Sequence, residues 1–203
     1  MTGDVAKEAG ITYLDEGVHT FTLKNGAKFT IYASPYQPEF CGYAFPYERD
    51  EDRFNPPEHV LYGVKKIPGV TVPDFPSVDI MMTHGPPKGI LDEVGGGGRM
   101  KANVGCDALM TASSRARPLL YCFGHIHEGH GAKLVTWKED KAVLGKDAIE
   151  TENDMRSGFP EVLDLDTELE FGRQTLMLNA AIRDVHYLPS NPPWTVDLKL
   201  PKA

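Results

Sequence analysis

The sequence predicts an α/β fold, and three observations carry that prediction. Short apolar runs recur along the chain, each stopped by glycine or proline, as buried strands are. Asn25-Gly26 sits between two alternating runs and is a strong hairpin signal. Residues 77–131 read as strand, loop, helix and strand in succession, the repeating unit of layered α/β folds.

Taken in order, residues 1–10 read as the end of a helix stopped at Gly10. Ile11 to Leu14 and Val18 to Leu23 read as short strands, and Lys28 to Ala33 is the strand returning after Asn25-Gly26. An aromatic, proline-rich segment comes after Ser34-Pro35 and runs to Phe45-Pro46-Tyr47; such aromatics are expected to form a lid over the core. The charged cluster Glu48 to Arg53 and the prolines at 56 and 57 predict a surface loop, and residues 58–76 predict a loop with a short helix. Ser77 to Thr83 is expected to be a central strand that ends sharply at His84-Gly85-Pro86-Pro87. The Gly95–Gly98 run lacks the Lys-Ser/Thr of a phosphate loop and predicts a flexible linker.

Val104 to Ala116 is amphipathic and predicts a helix that ends before Pro118. Leu119 to Phe123 is a run of apolar residues bounded by Gly124, the pattern of a buried strand. Lys133 to Trp137 and Thr175 to Ala181 predict further strands, and Trp194 to Leu200 a final one after Asn191-Pro192-Pro193. The stretch 138–172 is polar and without periodicity, and is expected to be an exposed insertion within a single domain spanning 1–203.

Composition narrows the function classes. The chain has 203 residues, 41% hydrophobic and 25% charged, with 21 Lys and Arg against 29 Asp and Glu for a net charge of −8. An acidic chain without a basic run argues against general nucleic-acid or membrane-surface binding, while leaving room for a small anionic substrate. Cys41, Cys106 and Cys122 are odd in number and widely spaced, which predicts reduced thiols and an intracellular, cytoplasmic setting. No apolar run approaches membrane-spanning length, so a soluble protein is expected.

The chemistry concentrates after two of the expected strands. His125 and His127, two residues apart at a strand end, point to one side and can serve one metal centre; the alternative is a pair of solvent-facing loop histidines. His84 at the end of the 77–83 strand is a second histidine site, and the carboxyl edge of an open α/β sheet is where ligands bind. His130 is either a substrate-side residue or an exposed histidine. His19, His59 and His186 are expected to be surface or structural.

Thr83-His84-Gly85-Pro86-Pro87 and Gly124-His125-Ile126-His127-Glu128, with a helix between them, resemble the last two metal-binding motifs of the calcineurin-like metallophosphoesterases. The resemblance is closest to the branch of metallophosphoesterase-domain-containing proteins. Ala33-Ser34-Pro35-Tyr36-Gln37-Pro38, Leu178-Asn179-Ala180 and the stretch from Asn191 to Leu198 are also similar to that branch. The resemblance implies a layered β-sandwich of mixed sheets flanked by helices, and a pair of divalent metal ions (Mn, Fe, Zn or Mg) at the strand ends. It implies that His84 and His125 ligate one ion and His127 the other. The implied reaction is hydrolysis of a small phosphomonoester or phosphodiester by metal-activated water.

The sequence departs from the family in one respect. The family's Asp-x-His, Gly-Asp-x-x-Asp and Gly-Asn-His-Asp/Glu motifs belong before the Ile11–Ser34 hairpin, and none is present. Asp184-Val185-His186 has the first spelling in the wrong place and is read as chance. The resemblance therefore implies the C-terminal part of a metallophosphoesterase domain, incomplete at the N-terminus. No catalytic residue is identifiable, because the family's catalytic histidine motif is absent. Three histidines without carboxylates can hold one zinc ion but not two divalent ions. Two alternatives stand beside the phosphoesterase: a mononuclear three-histidine zinc site in a hydrolase or lyase, and a non-catalytic domain that retains the metal motifs.

Overall fold

A computed structural model describes residues 3–96, 99–155, 162–163 and 169–200. Its frame is a mixed sheet of seven strands: β1 (Gly17–Thr22), β2 (Lys28–Ser34), β3 (Ile80–Thr83), β6 (Leu120–Phe123), β7 (Gly131–Trp137), β8 (Ile149–Asp154) and β9 (Gln174–Asn179). Strands β4 (Glu93–Gly96) and β5 (Arg99–Asn103) pair as a separate hairpin. The helices are a short α1 (Asp4–Glu8) and α2 (Asp107–Ala116), apart from brief 3-10 turns. The α/β class expected from the sequence is found.

The order across the large sheet is β1-β2-β3-β6-β9-β7-β8. Strands β2, β3, β6 and β9 are mutually parallel, and antiparallel strands flank them on both sides. The β1–β2 hairpin turns at Asn25-Gly26 as expected: the Asn25 side chain accepts from the Ala27 amide at 3.0 Å, and Gly26 adopts φ 84°. Parallel neighbours require crossovers, and α2 supplies the one between β3 and β6.

Alternation along the strands sorts side chains onto two faces. Tyr32, Met81, Tyr121, Met177 and Val135 share the face that packs against α2, and all are buried in the main core with Trp137. Each such side chain contributes roughly 1.5–3 kcal/mol by leaving water. On the opposite face the register aligns Ile31, Ile80, Leu120, Leu176 and Leu134 in one row. It aligns Ala33, Met82, Cys122, Leu178 and Ala132 in the next. Trp194, Val196, Met155 and Leu169 cover the β9 and β7 end of these rows, while Met82 remains 42% exposed.

Helix α2 is more deeply placed than an amphipathic pattern predicts, with residues 108–116 all buried. Its two serines are satisfied locally: the Ser113 and Ser114 hydroxyls donate to the Met110 and Thr111 carbonyls at 3.0 and 2.7 Å. Cys106 caps its start, the sulfur accepting from the Leu109 amide at 3.4 Å and from the Tyr47 hydroxyl at 3.1 Å. Burial raises the Cys106 thiol pKa, so this cysteine stays protonated and structural.

Several expectations are corrected. Residues 48–57 do not form a surface loop throughout, since Asp52, Arg53, Phe54 and Asn55 are buried. Charge is admitted there because it is fully partnered. The Asp52 carboxylate accepts from the Phe54 and Asn55 amides and from the Asn55 side chain at 2.8 to 3.0 Å. Arg115 of α2 donates to the Asn55 side chain and to the Val72 carbonyl at 3.0 Å, and pairs with Asp74. Ile11 to Leu14 is irregular rather than a strand, and of the predicted final strand only Thr195–Val196 pairs. Gly95 and Gly96 belong to β4 rather than to a linker, whereas Gly97 and Gly98 lie outside the described residues. Within 138–172, Ile149–Asp154 adds an edge strand to the large sheet, its side chains largely exposed; residues 156–161 and 164–168 lie outside the described residues.

Replacing Arg115 by Met leaves the Asn55 and Val72 acceptors buried and unpartnered. The expected loss is about 3 kcal/mol in urea unfolding, the scale of breaking one partner out of a buried polar network.

Candidate functional site

The four parallel strands all run in one direction, so their carboxyl ends lie on one edge of the sheet. His84 directly follows β3, and His125 and His127 lie in the turn after β6. Strands β3 and β6 are neighbours with Met82 opposite Cys122, which sets the two turns level. The Gly124 amide donates to the His84 carbonyl at 3.0 Å and carries the pairing one step past the strands. The His84 and His125 rings end 4.7 Å apart, centroid to centroid, inclined at 43°.

His125 is aimed by its backbone, which takes the left-handed conformation at φ 68°. A side chain held there costs about 1–3 kcal/mol and persists only where the surroundings fix it. Asn179, fully buried at the end of β9, does the fixing: its side-chain amide donates to the Ile126 carbonyl at 2.9 Å and to the Leu91 carbonyl at 3.1 Å. Gly129 packs so closely against Leu91 that an added Cβ would stand 2.0 Å from that carbonyl oxygen. Cys41, Phe45, Leu91 and Tyr187, in the segments around the histidines, are also left-handed.

The third histidine is oriented by a hydrogen bond. His127 Nδ1 lies 3.0 Å from the Asp184 carbonyl, so with the proton on Nδ1 the Nε2 lone pair is free for a ligand. His130 does not join the other three: its ring stacks on Trp194 at 5.4 Å and its Nε2 contacts the Pro192 carbonyl at 3.1 Å. The structure thus brings His84, His125 and His127 to one edge and places His130 against the C-terminal segment.

Electrostatics favours neutral imidazoles here. Burial lowers the His84 pKa. His125 is pushed down to about 4 by burial, then by repulsion from His84, His127 and Arg49. Neutral rings offer lone pairs at neutral pH, the state a metal ligand requires.

The donor set is nonetheless incomplete. Among the described residues no group of three or more His, Cys, Asp or Glu side chains is arranged to hold a metal ion. Two divalent ions with hard oxygen partners do not fit a set of three histidines without a carboxylate.

Beside the histidines opens a cavity of about 420 Å³. Tyr36, Phe40, Tyr43, Arg49, Glu128 and Tyr187 are among its walls. Sequence reading missed this wall by assigning the aromatic segment to a lid over the core. That segment divides: Tyr47 is buried and Tyr36 packs against the core, whereas Phe40 and Tyr43 are about half exposed and lie edge-on to His125. Tyr36 is held by Arg53, whose guanidinium lies 3.2 Å over its ring and donates twice to Glu16.

No protein-family model matches the sequence. The chain is 31% identical over 178 residues to metallophosphoesterase domain-containing protein 1 of Homo sapiens, and equally to that of Mus musculus. The relationship is metallophosphoesterase-like. The similarity covers 86% of this chain, and the chain spans 37% of the length of those relatives. A protein of Emericella nidulans named probable rhamnogalacturonate lyase C is 31% identical over 130 residues, covering 63% of this chain and 10% of that protein. Among the described residues no helix is long and apolar enough to cross a membrane.

Two outcomes are expected. Gly129→Ala should lower the melting temperature and loosen the histidine turn, read as faster amide exchange over residues 124–130, because the added methyl meets Leu91. Acid should destabilise the site: the folded His125 pKa, about 4, lies below its ordinary 6.5, so the unfolded chain binds more protons between those values. Stability present above pH 6.5 is then lost as pH falls toward 4, and the melting profile of His125→Gln should be flatter over that window.

Proposed function

We propose that the carboxyl-edge site acts on a phosphoester, with His84, His125 and His127 as metal-ligating residues of a centre completed by groups outside these 203 residues. The observation that carries this reading is the convergence of His84 and His125, both depressed in pKa, with His127 oriented beside them at the ends of adjacent parallel strands. The metallophosphoesterase-like relationship supports it independently. Arg49, on the cavity wall and close enough to His125 to depress its pKa, suits the phosphoryl oxygens of such a substrate.

The residues present do not supply a two-ion ligand set. The chain's own contribution is positional: the neutral imidazoles of His84 and His125 on turns clamped by the Asn179 amide through the Leu91 and Ile126 carbonyls, and a cationic wall at Arg49. On this reading the polypeptide alone turns over phosphoesters poorly.

Zinc binding by equilibrium dialysis tests the ligand assignment. At most one ion per chain is expected, with affinity at least tenfold weaker in His84→Ala or His125→Ala. Unchanged affinity in both variants would sink the assignment. Hydrolysis of bis(4-nitrophenyl) phosphate with added manganese tests the incompleteness, and near-background turnover is expected. Robust turnover that is lost in His84→Ala would instead mean that the site is complete.

A further inference from the structure

The cavity wall contains an arrangement that the histidines alone do not explain. Phe40, Tyr43 and His125 contact one another pairwise, with ring centroids 5.9, 6.1 and 6.4 Å apart. Their planes cross at 69°, 77° and 81°, so the three rings form a corner of nearly perpendicular walls. All three line the same cavity, and Tyr187, set edge-on to His127 at 5.1 Å, lines it as well. Phe40, Tyr43 and Tyr187 are 50, 48 and 63% exposed, so the rings are available to a ligand.

The shape of this corner selects its guest. A planar aromatic group needs parallel faces to stack between, and no two rings of the corner are parallel. A rounded cation needs only one ring face at a time, within roughly 6 Å of its centroid, and so does not require parallel rings. Charge on the wall is divided: Glu128 supplies a carboxylate, while Arg49, which donates to the Val104 carbonyl at 3.2 Å, keeps its positive charge.

We propose that the aromatic corner of Phe40 and Tyr43, with Tyr187 and Glu128, is a subsite for a quaternary or alkylated ammonium group. Joined to the phosphoester reading, on which this part rests, the substrate class is a phosphate ester of an amino alcohol. Its anionic end lies toward Arg49, and its ammonium end lies against Phe40, Tyr43 and Tyr187.

The subsite is tested without metal or turnover, by calorimetric titration of the intact chain with choline. The neutral isostere 3,3-dimethylbutan-1-ol, which replaces the charged nitrogen by carbon, is the comparison. Choline is expected to bind at least tenfold more tightly than the isostere, and Phe40→Ala and Tyr43→Ala are each expected to weaken choline at least fivefold. Both residues lie half exposed in a loop, and the choline-to-isostere ratio in the unmodified chain needs no variant to fold. Equal affinity for the two ligands, no saturable choline binding, or tighter binding of phenol than of choline overturns the subsite. Phosphocholine separates the two claims: binding at least fivefold tighter than choline, with the gain lost in Arg49→Met, supports both. Choline binding without that gain upholds the subsite and overturns the assignment of Arg49 to the phosphoryl group, while zinc binding by the His84→Ala and His125→Ala variants judges the phosphoester reading itself.

Discussion

The structure depends on the parallel pairing of β3 with β6. Three residue pairs, Ile80 with Leu120, Met81 with Tyr121 and Met82 with Cys122, hold two strands side by side and in step. Because the strands run the same way, the turns beyond them emerge at the same edge and at the same height. A one-residue slip would exchange the faces of the sheet and drive Met81 or Tyr121 out of the core, so hydrophobic burial enforces the register. The proximity of His84 and His125 is a by-product of that enforcement. It needs no dedicated contact between the two rings.

Around this pairing the protein uses polar groups where an apolar core would be simpler. Asp52, Asn55 and Arg115 join the loop before β3 to α2, and Asn179 joins the end of β9 to the turns beyond β3 and β6. Each network is buried, and its members find partners on backbone atoms as often as on side chains. Directional bonds to backbone carbonyls specify where a loop lies, which non-directional apolar contact does not. Loops carrying three histidines need that kind of specification.

The frame was legible in the sequence because its signals are local. The Asn25-Gly26 turn, the apolar run at Leu119 to Phe123 and the stop at His84-Gly85-Pro86-Pro87 each announce an element within a few residues. The strand-end placement of His84, His125 and His127 comes from the same signals. The features that stayed hidden depend on distant partners. The burial of Asp52 and Arg53 requires Asn55, Arg115 and Glu16, which are remote in sequence or unremarkable in it. The edge strand Ile149–Asp154 has almost no buried side chains to reveal it, and only its ladder with β7 makes it a strand. The exposed rings of Phe40 and Tyr43 read like core aromatics because hydrophobicity alone does not distinguish a covered ring from one lining a cavity. His130 lies only three residues past His127, and the stacking on Trp194, far along the chain, is the contact that sets it apart.

Asn179 has a consequence for the thermodynamics of recognition. Its one amide grips the Leu91 and Ile126 carbonyls together, so the turn beyond β3 and the turn beyond β6 are clamped to each other as well as to the sheet. Neither can be displaced without releasing a buried donor. A ligand arriving at this edge therefore meets loops whose ordering entropy was already lost when the chain folded, and more of its contact energy is retained as affinity.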